Sequence, residues 1–127
     1  MDYSKLSDFE INKRVADIEM NGTWHVKPSH PDNDTGGWLY GPNGIQTYDL
    51  PDYCNNAADA WPIISQNKIT LHAPMSYDDL QEWLCFAAND SDADCMNTNP
   101  LRAAMIVFLK MQESANVPAN PAGPDIR

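Results

Sequence analysis

A chain of 127 residues with 43% hydrophobic side chains is enough for one domain with one core, since folding at this size hides roughly two-thirds of the chain's surface. Eighteen acidic against eight basic side chains give a net charge of −10, which repels phosphate backbones and anionic membranes and so argues against nucleic-acid or membrane partners. Three cysteines at irregular spacing define neither a disulfide framework nor a zinc site, and no apolar run approaches the roughly 20 residues of a membrane span, so reduced thiols in a cytoplasm are the simpler expectation.

The first element announces itself at Leu6-Ser7-Asp8-Phe9-Glu10-Ile11. Ser7 and Glu10 make a capping box and Leu6 with Ile11 a hydrophobic staple, so an amphipathic helix of about three turns is predicted. Ile11, Val15 and Ile18 would face the core, and Asn21-Gly22 would end the helix. Residues 23–50 change character to short β-prone pieces rich in aromatics: Thr23-Trp24-His25-Val26, Gly37-Trp38-Leu39-Tyr40 and Ile45-Gln46-Thr47-Tyr48. Gly41-Pro42-Asn43-Gly44 reads as a turn suited to positive φ, which predicts a hairpin over 37–49 at the edge of a sheet.

A short helix follows at about 56–66, with Ala57, Ala60, Trp61 and Ile64 on one face. Pro62 leaves two readings: a cap at Asn56 puts the proline inside the helix and kinks it, whereas a cap at Asp59 puts it near the start. Residues 68–72 alternate as a strand with Ile69 and Leu71 inward. Residues 76–88 fit two readings. Leu80, Trp83, Leu84 and Ala87 match a helix capped by Ser76 and Asp79, yet Trp83-Leu84-Cys85-Phe86-Ala87 is equally a continuous apolar strand. Residues 89–99 read as a polar loop. Asn99 is a natural N-cap and Pro100 fits the first helical position, and from Leu101 to Leu109 only Arg102 is not apolar. A helix over 99–114 should therefore be mostly buried. Three prolines in residues 115–127 predict an extended or disordered tail after a single domain over 1–114.

Few side chains suggest chemistry. Asp90-Ser91-Asp92-Ala93-Asp94 opens like a calcium-binding loop, but Cys95 stands where the turn glycine is required and Leu101 where the bidentate glutamate is required, so a solvated acidic loop is the better reading. His25, His30 and His72 show no metal-ligand spacing. His72 and Cys85 on neighbouring strands would suggest a thiol nucleophile and base only if they met. No nucleophile elbow, phosphate loop or dinucleotide fingerprint is present, and no cofactor is expected. Arg102, in the first turn of the apolar helix, is a candidate for an anion site built with free backbone N–H groups. Pairing with Asp92 or Asp94 is its simpler use. Trp24, Trp38, Tyr40, Tyr48, Tyr53 and Trp61 lie mostly in the turn-rich half, where a small sheet cannot bury every ring; some are core, and rings left exposed there would stack on a base or anchor a protein partner.

Three blocks, YSKLSDFEINKRVA, DYCNNAADAWPII and NPLRAAMIVFLKMQESANVPANPA, resemble the phage NinX family, small proteins encoded in the nin region of lambdoid phages and prophages. They cover somewhat under half the chain in the family's order, with Ala57 where the family carries a proline and Lys110 where it carries an apolar residue. The resemblance implies an α+β fold, a small α/β/α sandwich in which an antiparallel sheet of about four strands is packed by about three helices. It favours the strand reading of residues 83–87. For function it implies a phage accessory protein of the host cytoplasm, with no established activity. The leading expectation is a non-enzymatic binder that blocks a host protein, in counter-defence or host takeover, through the aromatic hairpin and the acidic surface. Sequestration of a nucleotide-like signal by Arg102 and the aromatics is the alternative, and hydrolysis of such a signal the third. A symmetric homodimer is the default for a protein of this size.

Overall fold

The computed structural model describes residues 2–20, 24–26, 29, 31, 39–41 and 48–116. A 3-10 turn at Tyr3–Lys5 leads into helix α1 (Asp8–Glu19). Ser7 caps the helix as predicted, its Oγ accepting from the Glu10 amide at 3.1 Å, and Glu10 Oε1 accepts from that same hydroxyl at 3.5 Å. Ile11, Asn12, Val15 and Ala16 are buried, whereas Ile18 is 38% exposed. At 3.6 residues per turn, burying Asn12 and Ala16 rotates the inner stripe so that Ile18 falls about 90° from its centre.

Strands β1 (Trp24–Val26), β2 (Leu39–Gly41) and β3 (Tyr48–Asp49) form an antiparallel sheet in that order. The register joins Tyr40 to Tyr48 and Leu39 to Asp49, as a hairpin requires. The turn expected at 41–44 lies mostly outside the described residues. β1 pairs with the hairpin's first strand, so the hairpin is part of a small sheet of its own.

Helix α2 (Ala57–Gln66) is capped by Asn56, whose Oδ1 accepts from the Ala58 amide at 2.9 Å, and it contains Pro62. Ala60, Ile63 and Ile64 are buried while Ala57 and Trp61 face solvent. This corrects the expected face. With the proline on the exposed side, the Ala58 carbonyl that loses its helical partner is left near water, where the loss costs least. Past the helix, Asn67 donates from Nδ2 to the Ile63 carbonyl at 2.8 Å, and Lys68 takes a positive φ of 56° to turn the chain into the next strand.

The second sheet comprises β4 (Ile69–His72), β5 (Trp83–Ala87) and β6 (Asp90–Asn97), antiparallel in the order β4-β5-β6. Residues 83–87 are thus strand, and residues 90–97, expected as loop, are strand too. Ala93 is buried and Cys95 half-buried between the exposed Asp92, Asp94 and Met96, so the period of two outweighs the polar composition. Among the described residues, six strands in two three-stranded sheets stand in place of the expected single sheet of about four.

Helix α3 (Pro100–Asn116) starts at Asn99, whose Oδ1 accepts from the Leu101 and Arg102 amides at 3.0 and 3.2 Å. Residues 103–109 are all buried. Seven consecutive buried residues span nearly two turns, so every side of the helix is covered. The sheet β4-β5-β6 packs on one side and α1 and α2 on the other. In the expected sandwich the sheet is the middle layer. Among the described elements α3 takes that place, and the other face of the sheet carries Thr70, His72, Leu84, Phe86, Asp94 and Met96. Lys110 is accommodated where an apolar residue was expected because its Nζ reaches the Asp94 carbonyl at 2.6 Å. The helix runs to Asn116, two residues into the expected tail; residues 117–127 lie outside the described set.

Candidate functional site

Among the described residues, a polar cluster joins α1 and the start of α3 to the segment before α2. Asn12 is the buried polar residue of α1. Its Nδ2 donates to Asp52 Oδ1 at 3.0 Å and its Oδ1 accepts from the Cys54 amide at 3.1 Å. Asn55 Nδ2 donates to Asp8 Oδ2 at 3.1 Å and to both Asp52 oxygens. Asn99 Nδ2 completes the junction, donating to the Cys54 carbonyl at 2.7 Å and to Asn55 Oδ1 at 3.1 Å. These bonds explain why the DYCNN block reads as it does: each amide side chain donates from a two-hydrogen nitrogen and accepts at a separate oxygen, whereas an ionised carboxylate cannot donate and a hydroxyl has a single hydrogen on a single atom.

Arg102 belongs to this junction. Its guanidinium meets Asp8 Oδ1 at 2.6 Å and donates to the Leu6 and Ser4 carbonyls at 2.6 and 3.3 Å. The expected partners Asp92 and Asp94 are not the ones it takes. Asp94 is exposed on the sheet face turned away from α3, and the carboxylate that meets Arg102 comes from the first turn of α1. Burial alone would raise the Asp8 carboxyl, but hydrogen bonds from Asn55 and Arg102 and the guanidinium charge outweigh it and hold it below the usual carboxylate range. Arg102 is only 13% exposed, so its donors are spent inside the fold and an incoming anion would have to displace Asp8.

Neither buried thiol is placed to act as a nucleophile on an outside substrate. Burial, then the Asp8 charge, pushes Cys54 up to about 12, and burial pushes Cys85 up to about 12 as well. The register places Leu71 opposite Cys85 and His72 opposite Leu84. Because neighbouring residues on a strand face opposite sides, His72 and Cys85 point away from each other and make no thiol–imidazole pair. The extended backbone of β6 likewise cannot wrap a cation as a calcium loop does. Among the described residues no group of three or more His, Cys, Asp or Glu is placed to hold a metal.

Of the nominated aromatics, Trp61 is 61% exposed on the solvent side of α2. Trp24, Tyr40 and Tyr48 occupy β1, β2 and β3, Trp24 opposite Gly41, and Trp38 lies outside the described residues. The structure does not bring Arg102 and Trp61 together: one is tied to α1, the other sits on the outer side of α2.

A surface that the sequence reading missed lies between β4 and β5. Met75, Tyr77 and Leu80 are 52%, 82% and 68% exposed, and Met96, at the same end of the sheet opposite Leu84, is exposed too. The loop is held in shape. Gln81, with a φ of 50°, donates from Nε2 to the Met75 and Asp78 carbonyls. The Asp78 carboxylate accepts from the Leu80 amide at 3.0 Å, and the Asp78 amide donates to the Met75 carbonyl. The available signal was Met75-Ser76-Tyr77-Asp78-Asp79-Leu80 itself, large apolar residues interleaved with acids, which the capping-box reading assigned to a helix. A separate cleft of about 530 Å³ lies between the N-terminal turn, α1 and the end of α3, lined by Tyr3, Arg14, Asp17, Ile18, Leu109 and Glu113. Burial and a hydrogen bond to Glu113 push the Tyr3 hydroxyl up to about 12.

The described residues therefore form a small α+β protein whose polar clusters join its own helix ends. The chain belongs to the Bacteriophage P22 NinX family, whose model matches residues 2–112, including the stretches 21–50 and 73–98 that the three sequence blocks leave out. No curated protein and no solved structure matches it. No helix among the described residues is long and apolar enough to cross a membrane.

Proposed function

We propose that this NinX family protein is a non-enzymatic phage accessory protein that binds and blocks a host protein, and that the β4–β5 loop is its docking surface. The observation that supports this reading is the exposure of Met75, Tyr77 and Leu80 on a loop already braced by Gln81. Large apolar side chains gathered on one surface favour a partner, and bracing lowers the entropy lost on binding. Asp78, Asp79 and Glu82 rim the loop, so the fitting partner presents an apolar patch with basic residues around it. The aromatic hairpin, first choice from sequence, stands second to this loop. Sequestration of a nucleotide-like signal loses its main support, because Arg102 is paired with Asp8 and the cleft carries Asp17 and Glu113, which oppose a phosphate.

Capture from host lysate by the tagged protein, beside a Tyr77→Ser/Leu80→Ser variant of equal thermal stability, tests this. A stoichiometric host protein kept by the native chain and lost by the variant is the expected result. Recovery of the same protein by both, or of no protein by the native chain, would overturn the proposal.

A further inference from the structure

Cys85 and Cys95 stand directly opposite each other on β5 and β6. Directly paired residues of antiparallel strands have Cα atoms about 4.5–5.5 Å apart and side chains on one face, inside the window of about 4.4–6.8 Å that a disulfide spans. Both are free thiols. Both lie on the α3 side of the sheet, where Cys85 Sγ donates to the Pro100 carbonyl at 3.6 Å. Their accessibility differs: Cys85 is fully buried, while Cys95 is half-buried. We propose that Cys85 and Cys95 are an oxidation site, joined into a reversible intrachain disulfide by exchange with a small-molecule disulfide of the glutathione type.

The order of events follows from exposure. The Cys95 thiolate attacks one sulfur of the reagent, whose S–S bond breaks and releases one reagent thiol. Cys85 then attacks the Cys95 sulfur and gives its proton to the departing reagent sulfur, which leaves as the second reagent thiol. Two protein thiols are oxidised and one reagent disulfide is reduced. Burial raises Cys95, and the charges of Lys110 and Arg102 pull against that shift; together with its partial exposure this makes Cys95 the first of the two thiols to attack. Cys54, buried in the helix junction with its Sγ directed to the Asp8 carbonyl, lies outside the pair. The bridge would tie the edge strand β6 to the central strand close to the register shift at Phe86/Ala87, where the ladder is weakest. The site is independent of the proposed docking loop, since Met96 faces the opposite side of the sheet.

The folded full chain is equilibrated with glutathione disulfide at neutral pH, alkylated, digested and weighed. The expected product has lost two hydrogens and yields one peptide pair linking Cys85 to Cys95, in the native chain and in Cys54→Ala alike. Cys85→Ser should stop at a glutathione adduct on Cys95, and Cys95→Ser should form no bridge. In the oxidised chain, amide exchange along β6 should slow several-fold. A native chain that ends as a stable Cys95 adduct, as a disulfide-linked dimer, as a bridge to Cys54 or unreacted would overturn the proposal, as would bridging without slower exchange on β6.

Discussion

The helix junction and the β4–β5 loop break opposite rules. At the junction, amide and charged side chains are tied to one another, Asn12 from inside the core and Asp52 and Asn55 from its rim; at the loop, large apolar side chains go outside and are left uncovered. Buried polar groups and exposed apolar ones are where a fold says most about what it is for. A conspicuous, functional-looking residue can thus be wholly occupied by architecture. Arg102 looks like a site residue in sequence, yet it is tied to Asp8 and the N-terminal turn beside a network in which Asn12, Asn55, Asn99 and Asp52 hold the helix ends together. Tyr77 and Leu80 look ordinary, yet nothing in the core needs them.

Substitutions should separate the two regions by what they cost. The largest loss is expected from Asn12→Ala, which leaves the buried Cys54 amide without its partner and takes one of two donors from Asp52 Oδ1; about 2–3 kcal/mol of unfolding free energy should disappear in a denaturant titration. Arg102→Ala should cost about 1–2 kcal/mol, the exposure of Asp8 screening part of the ion pair. Arg102→Lys should recover little of it, because an ammonium cannot reach Asp8, Leu6 and Ser4 together. The same contact sets a pH signature. Asp8 is lowered in the fold, so its contribution is full above its unfolded value of about 3.9 and is lost as pH falls through the lower folded value. Melting temperature should therefore drop less steeply with acid in Asp8→Asn than in the native chain.

Smaller effects sharpen the comparison. Lys68→Gly relieves a positive φ just past α2 and should raise stability by about 0.5–1 kcal/mol without touching either region. Tyr77→Ser with Leu80→Ser should change stability by less than about 0.5 kcal/mol while abolishing partner capture. A double variant that unfolds instead would make the loop part of the core and end its role as a surface.

Much of the frame was legible because its signals are local. Ser7 with Glu10, Asn56, and Asn99 followed by Pro100 mark three helix starts by residue type and spacing alone. Ile69 and Leu71 mark β4 by alternation. What was missed depends on distance or on a weak local signal. The partner of Arg102 comes from α1, and nothing near Arg102 in sequence announces Asp8; the nearby aspartates were the natural guess and face the other way. β6 was hidden by composition, its inner positions being only Ala93, Cys95 and Asn97 among aspartates. The β4–β5 loop was hidden by a false helical pattern, Ser76 and Asp79 imitating a cap that Gln81 with positive φ rules out.

The central place of α3 has a consequence for how the protein is made. Every described element that packs on α3 precedes it in the chain, so during synthesis α1, α2 and the strands leave the ribosome with no centre to close on. α1 carries its own cap and staple and can flicker into shape early, but a helix of this length is marginal alone. Release of residues 103–109 is the event that permits collapse, and the Arg102 clasp on the N-terminal turn closes only then. Ribosome-stalled chains ending before residue 103 should remain open to protease throughout their length, and chains extended well past residue 116 should become resistant as one unit.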